Sequence, residues 1–283
     1  MKVTKIPTFF LILALTSCVS PANKFSRKAL EYGFDSLEIS SDSFTHRIYF
    51  NQFVLHSADP KRLHVYLDGD GTPWLRHQWI AKDPTSRNPL ILRLMHLDKT
   101  PAILLGRPCY YGLNKGIHCE NKYWTSHRYS SVVVNSMVSV LNAWVEKNNY
   151  KELVFIGFSG GGTLAVLMAN NVNITTKVVT VAANLDVRAW SEFHGYRGLD
   201  NSLNPIEEAI LNTDIQQLHF AGKEDNVVPA FIIKKYAQSQ KNSRYFEVSG
   251  NGHVCCWEVG WPEILDIIDK KKAINLRGDG FLR

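Results

Sequence analysis

Beyond residue 42 the chain alternates short apolar runs with amphipathic stretches. Two strand-like stretches, 44–50 and 53–57, open this region. The apolar run 64–68 is then followed by an amphipathic stretch at 74–82, and 102–106 by a long helical pattern at 129–148. The same order recurs as 152–158 with 162–171, 217–221 with 230–240, and 245–249 with 262–272, while 177–182 leads into an irregular stretch. Runs apolar throughout suit strands covered on both sides, and their alternation with helical patterns predicts an α/β fold, a mainly parallel sheet with helices on both faces. Residues 19–42 are polar and lack clear periodicity, which predicts a tether. With no internal repeat or low-complexity tract, 43–283 is expected to be one domain, with a candidate small cap at 184–215.

The N-terminus has a pattern of its own. Lys2 and Lys5 precede a seven-residue apolar run, 9–15. A membrane-spanning helix needs about 20 apolar residues, so this run predicts a secretory signal over 1–17 instead. Leu15-Thr16-Ser17-Cys18 resembles the bacterial lipobox, which implies a lipidated Cys18 at the head of an 18–42 tether and a membrane held through that lipid. Ordinary cleavage beside a chance cysteine is the alternative. Val19, where an Asp would resemble an inner-membrane retention signal, points to an outer-membrane anchor facing the periplasm.

Composition changes the picture only partly. The 283 residues carry 32 Lys+Arg against 26 Asp+Glu, a formal charge of +6, and 45% are hydrophobic. That hydrophobic share excludes disorder. A basic chain raises nucleic acid as a partner, but loss of Lys2 and Lys5 with the signal leaves 30 − 26 = +4. No Lys/Arg block interleaves with aromatics, and 270–272 reads as a solvated helix end. Nucleic acid is therefore not expected.

The candidate chemistry centres on Gly157-Phe158-Ser159-Gly160-Gly161, which follows an apolar strand pattern and precedes an apolar helix pattern. A tight strand-to-helix turn of this kind strains the serine backbone, demands small neighbours and lifts the hydroxyl to a helix N-terminus. No Lys-Ser/Thr ending is present to make it a phosphate loop. The motif in this setting resembles the nucleophile elbow of the α/β-hydrolase superfamily. That resemblance, over roughly 43–272, implies an acid and then a histidine downstream of Ser159. Asp225, in Gly222-Lys223-Glu224-Asp225-Asn226-Val227-Val228-Pro229, resembles the acid loop. Asp186 is the alternative acid, its other reading being a helix cap. His253, in Gly250-Asn251-Gly252-His253, is the only histidine after Asp225. The oxyanion hole is implied to use the N–H of Gly160 and, from the Asp68-Gly69-Asp70-Gly71 loop, that of Asp70, with Gly69 next.

More narrowly, the chain resembles bacterial predicted hydrolases, often lipoproteins, that carry G-D-G-x-x-W, R-P-C, a distal cysteine and W-T-x-x-R-Y-S. Here these are Gly69 to Trp74, Arg107-Pro108-Cys109, Cys119, and Trp124 to Ser130. With Cys18 set apart, four cysteines remain for an oxidising compartment. Cys109–Cys119 is the leading pairing and Cys255–Cys256 the second, with cross-pairing open. His127 and His194 are candidate pocket residues, and no metal or cofactor is expected. The whole predicts a serine hydrolase that cleaves an ester or thioester of a small acyl substrate; a peptidase is the less favoured variant. The alternative is a catalytically silent hydrolase fold that binds a ligand or an envelope partner.

Overall fold

The computed structural model describes residues 19–56 and 61–269. In chain order the elements are α1 (Pro21–Glu31), β1 (Asp35–Ser40), β2 (Thr45–Phe50), α2 (Gln52–His56), β3 (Arg62–Leu67), β4 (Trp74–Leu75), β5 (Trp79–Ile80), α3 (Leu90–His96), β6 (Ala102–Leu105) and α4 (Ser131–Lys147). They continue with β7 (Glu152–Phe158), α5 (Gly160–Ala169), β8 (Thr175–Val181), α6 (Val187–Phe193), α7 (Pro205–Glu208), β9 (Gln216–Gly222), α8 (Ala230–Ser239), β10 (Ser243–Val248) and α9 (Trp257–Asp269).

The apolar runs form an eight-stranded sheet in the order β1-β2-β6-β3-β7-β8-β9-β10. From β6 to β10 the strands are parallel, and β2 runs antiparallel to both its neighbours. Residues alternate across the sheet as the pleat requires. Val65, Phe155 and Val178 join a core with α4, α5 and α8, while Tyr66, Val154, Ile156 and Val179 join one with α1, α3 and α9. Both faces are covered, as the unbroken apolar runs imply: a mostly parallel sheet between helices, with the topology of the α/β-hydrolase fold.

Three stretches differ from their sequence reading. Residues 19–42 are folded, not a tether. Ser20 caps α1 by accepting the N–H of Asn23, and Pro21 takes the first turn, where no N–H is needed. Only Ala22, Phe25 and Ala29 of α1 are buried, Phe25 packing on Tyr49 and Tyr111. Three apolar positions among charged ones give the helix one narrow stripe, and β1 is an exposed edge strand held by its ladder to β2. Residues 52–56 form a helical turn where a strand was expected, and 74–80 form a hairpin, Trp74 opposite Ile80 and Leu75 opposite Trp79, where a helix was expected. The spacing of those four apolar residues fits both periods.

The candidate cap at 184–215 consists of two short helices, α6 and α7, whose flanks enter the α4–α5 core through Leu185, Val187, Ala209, Leu211 and Ile215. The signal, Cys18 and the lysines at 270–272 lie outside the described residues. Among the described residues no helix is long and apolar enough to cross a membrane.

Candidate active site

The turn from β7 to α5 places Ser159 at φ +51°, ψ −126°, a region L-residues rarely occupy. The surroundings hold it there. Ser159 N–H donates to Val181 O at 2.9 Å. Gly157 and Gly161 are needed because a Cβ on either would overlap backbone, that of Gly161–Gly162 in the first case and that of Leu67 in the second.

Asp225 and His253 come to this serine on loops after β9 and β10. His253 Nε2 lies 3.1 Å from Ser159 Oγ, and His253 Nδ1 lies 2.8 Å from Asp225 Oδ2. The acid is buried, and its other oxygen accepts the N–H groups of Val227 and Val228, each at 2.8 Å. Trp257 Nε1 donates to the carbonyls of Gly252 and His253, fixing the histidine loop from below. Serine, imidazole and carboxylate thus form one hydrogen-bonded line ending at a strained hydroxyl. The model of the serine hydrolase (FSH1) family matches residues 114–255, which contain all three. The chain belongs to the FSH1 serine hydrolase family.

Solved structures similar to this FSH1 serine hydrolase share its fold at low identity. The lip1 protein of Acinetobacter baumannii AYE is 15% identical, covering 90% of this chain and 97% of its own, at a TM-score of 0.58. Est1E of Butyrivibrio proteoclasticus, solved with ferulic acid bound, is 10% identical over 82% of this chain and 97% of its own, at 0.59. The Pyrococcus furiosus esterase Pf2001 is 12% identical over 84% and 92%, at 0.56. No curated protein matches the chain.

The other site candidates of this FSH1 serine hydrolase separate clearly. Asp186 does not face His253. It caps α6 through Ala189 N–H and accepts from Asn204 and Lys235, so its helix-cap reading holds. Glu224 points to solvent. His194 accepts no substrate-side role in the line; its Nε2 meets Val227 O at 2.8 Å and braces the acid loop, while His127 pairs with the Ser126 hydroxyl. Gly160 begins α5, so its N–H has no acceptor within the helix. Gly69 packs against Ser159, but its N–H is already taken by Asp68 Oδ1 at 2.9 Å. The Gly69 N–H is therefore occupied and has no hydrogen left to offer an oxyanion.

Sequence reasoning missed the side chain of Asp70. Its Oδ1 lies 2.8 Å from Arg107 and its Oδ2 2.9 Å from Arg128, and the Tyr129 hydroxyl donates to it as well. Tyr110 OH donates to the Asp70 carbonyl. Burial alone would raise the Asp70 pKa, but Arg128 and Arg107 outweigh it and hold the carboxyl down at about 2. Its neighbour Asp68 goes the other way: burial pushes it up to about 6, against the Gly69 N–H and Arg107. The G-D-G, R-P-C and W-T-x-x-R-Y-S segments therefore meet in one buried ion cluster beside Ser159. Their separate recurrence as motifs was the available signal, but it did not say that they touch.

The cysteines pair as Cys109–Cys119 and Cys255–Cys256. Among the described residues no three His, Cys, Asp or Glu side chains gather as a metal site.

Proposed function

We propose that the protein hydrolyses carboxylic esters or thioesters of small acyl substrates through Ser159, His253 and Asp225. The observation that carries this reading is the continuous hydrogen-bonded line from Asp225 through His253 to a serine held at positive φ. His253 Nε2 takes the Ser159 proton as Oγ attacks the carbonyl carbon. The tetrahedral oxygen is met by the N–H groups of Gly160 and Asp70. The imidazolium then gives its proton to the departing alcohol or thiol, leaving an acyl-serine. Water, deprotonated by the same imidazole, attacks the acyl-serine, and release of the acid returns the proton to Ser159. Asp225 fixes the Nδ1–H tautomer throughout. Esterases among the fold relatives, one of them solved with ferulic acid, are consistent with a small acyl substrate.

Labelling by a serine-reactive fluorophosphonate tests the reading. The chain should label and Ser159→Ala should not; equal labelling of both, or of neither, overturns it. A panel of acyl esters and thioesters of increasing chain length then ranks substrates. We also propose that Cys18 is the lipidated N-terminus of an envelope protein, supported by Lys2, Lys5, the 9–15 apolar run and the small residues before the cysteine. The intact mass of the protein from its membrane fraction, against Cys18→Ser, reads that modification directly.

A further inference from the structure

Three segments adjoin here, and the first two, with Val19 (40% exposed) just before the third, carry exposed apolar side chains. The β4–β5 hairpin leaves Trp74 41%, Trp79 67% and Ile80 39% exposed. Cross-strand pairing puts Trp74 with Ile80 on one face of the ribbon and Leu75 with Trp79 on the other, so the ribbon is apolar on both faces. Most of the apolar surface of this ribbon is left to solvent. The second segment is the loop closed by Cys109–Cys119, whose Ile117 is 97% exposed. Asn114 of this loop donates to Lys82 O, two residues after the hairpin. The third is the start of α1. Ala22 N–H donates to Asp83 Oδ2, and a Cβ on Gly112 would touch Ala22.

The exposed charges on this face are mainly cationic. Lys24, Arg76, Lys82, Arg87 and Lys115 are exposed and form no ion pair among the described residues. Asp83 is spent on the N–H groups of Ala22 and Thr85, and Glu120 pairs with Lys122. Between α1 and residues 86–93 lies a cleft of about 260 Å³ lined by Lys24, Lys28, Arg87 and Arg93. Lys28 there also pairs with Glu31, and Arg93 with Glu258. Exposed tryptophans and an isoleucine tip beside unpaired cations match the depth profile of an anionic bilayer: indole at the headgroup level, cations on the phosphates. Chain length agrees, since the four residues from Cys18 to Ala22 span at most about 14 Å.

We infer that this face, formed by the β4–β5 hairpin, the Ile117 loop and the start of α1, docks on an anionic lipid bilayer. It extends the reading of Cys18 as an anchor but does not need the acyl chains: the surface itself chooses the orientation. Because the hairpin follows directly from the Gly69–Asp70 loop, docking brings the Ser159 edge of the sheet toward the membrane.

The mature chain from residue 18, carrying Cys18→Ser and so neither acylated there nor preceded by the 9–15 apolar run, is floated with vesicles of phosphatidylethanolamine and phosphatidylglycerol, and separately with phosphatidylcholine. It should float with the anionic vesicles, weaken as salt rises, and stay behind with the neutral ones. Adding Trp79→Ser and Ile117→Ser should cut binding at least roughly tenfold. Adding instead Ile210→Ser, an exposed residue whose carbonyl is bonded to Asn170 at the far end of α5, should leave it unchanged. No flotation of the Cys18→Ser chain, or equal flotation with the Trp79/Ile117 pair changed, overturns the inference. Fluorophosphonate labelling of each variant reports folding at Ser159. Loss of labelling in all of them with vesicle binding intact would sink the catalytic reading alone, and an unmodified Cys18 would sink the anchor alone.

Discussion

The carboxylate of Asp70 lies directly over Gly160: a methyl group on Gly160 would overlap Asp70 Oδ1 and the Tyr129 hydroxyl. Gly160, after Ser159, and the Gly69–Asp70 loop are thus locked together through a side chain, with Arg107 and Arg128 holding that side chain from behind. Gly160→Ala must push the Asp70 loop away and misplace an oxyanion donor. We expect kcat/KM for an activated ester to fall by about 10²–10³, with the far-UV spectrum unchanged.

Asp70→Asn keeps the shape and removes the charge. Arg107 and Arg128 then lose their ion-pair partner while still buried, and we expect a loss of about 3 kcal/mol in urea unfolding. Asp70→Asn combined with Arg128→Met should recover part of that loss if the unpaired cation is its cause.

Asp225→Asn separates orientation from architecture. Oδ1 still accepts the N–H groups of Val227 and Val228, so the acid loop should persist. An amide NH₂ facing His253 Nδ1 would favour the other tautomer, which cannot take the Ser159 proton. We expect kcat to fall by about 10³–10⁴ with stability little changed; an equally active variant would exclude Asp225 as the orienting acid.

Two buried histidines away from the site should make the fold sensitive to acid. His46 bonds to Gly106 O and Ser136, and His219 to Thr180. Burial lowers His46 to about 4 and His219 to about 3, so the fold favours the neutral rings. Their contribution is present above pH 6.5 and is lost as pH falls through that value toward 4 and then 3, roughly 3 kcal/mol each by pH 4. Asp68, raised to about 6, has the opposite sign: its protonated form is favoured in the fold, which offsets part of the loss. Urea midpoints measured from pH 7 to 4 should therefore decline, and His219→Gln should flatten the decline.

Removing the Cys109–Cys119 bond by the double alanine variant frees a ten-residue step. The added freedom of the unfolded chain should lower stability by roughly 2–3 kcal/mol, read as a lower urea midpoint and as faster tryptic cleavage at Lys115.

Local chemistry made Ser159, Asp225 and His253 legible. A strained turn demands glycines beside the serine, the acid loop and the histidine loop carry their own turn residues, and apolar runs mark the strands between them. The α1 helix was not legible, because Ala22, Phe25 and Ala29 are too few to outweigh a polar composition, and what stabilises them is Tyr49 and Tyr111 from elsewhere in the chain. The hairpin at 74–80 fits helix and strand periods equally until its cross-strand partners are in place.

The sequence by itself thus determined the parallel α/β sheet and the strained serine turn, since each is written in neighbouring residues, while the order of acid and histidine came from the family resemblance and the cysteine pairing stayed open. Only the tertiary structure decided that Asp68 consumes the Gly69 N–H, that Asp186 serves a helix end, and that Asp70 meets Arg128, 58 positions away. Strand order brings the loops after β3, β6 and β7 to one edge of the sheet, and at that edge the buried charges must find each other because no water remains to solvate them.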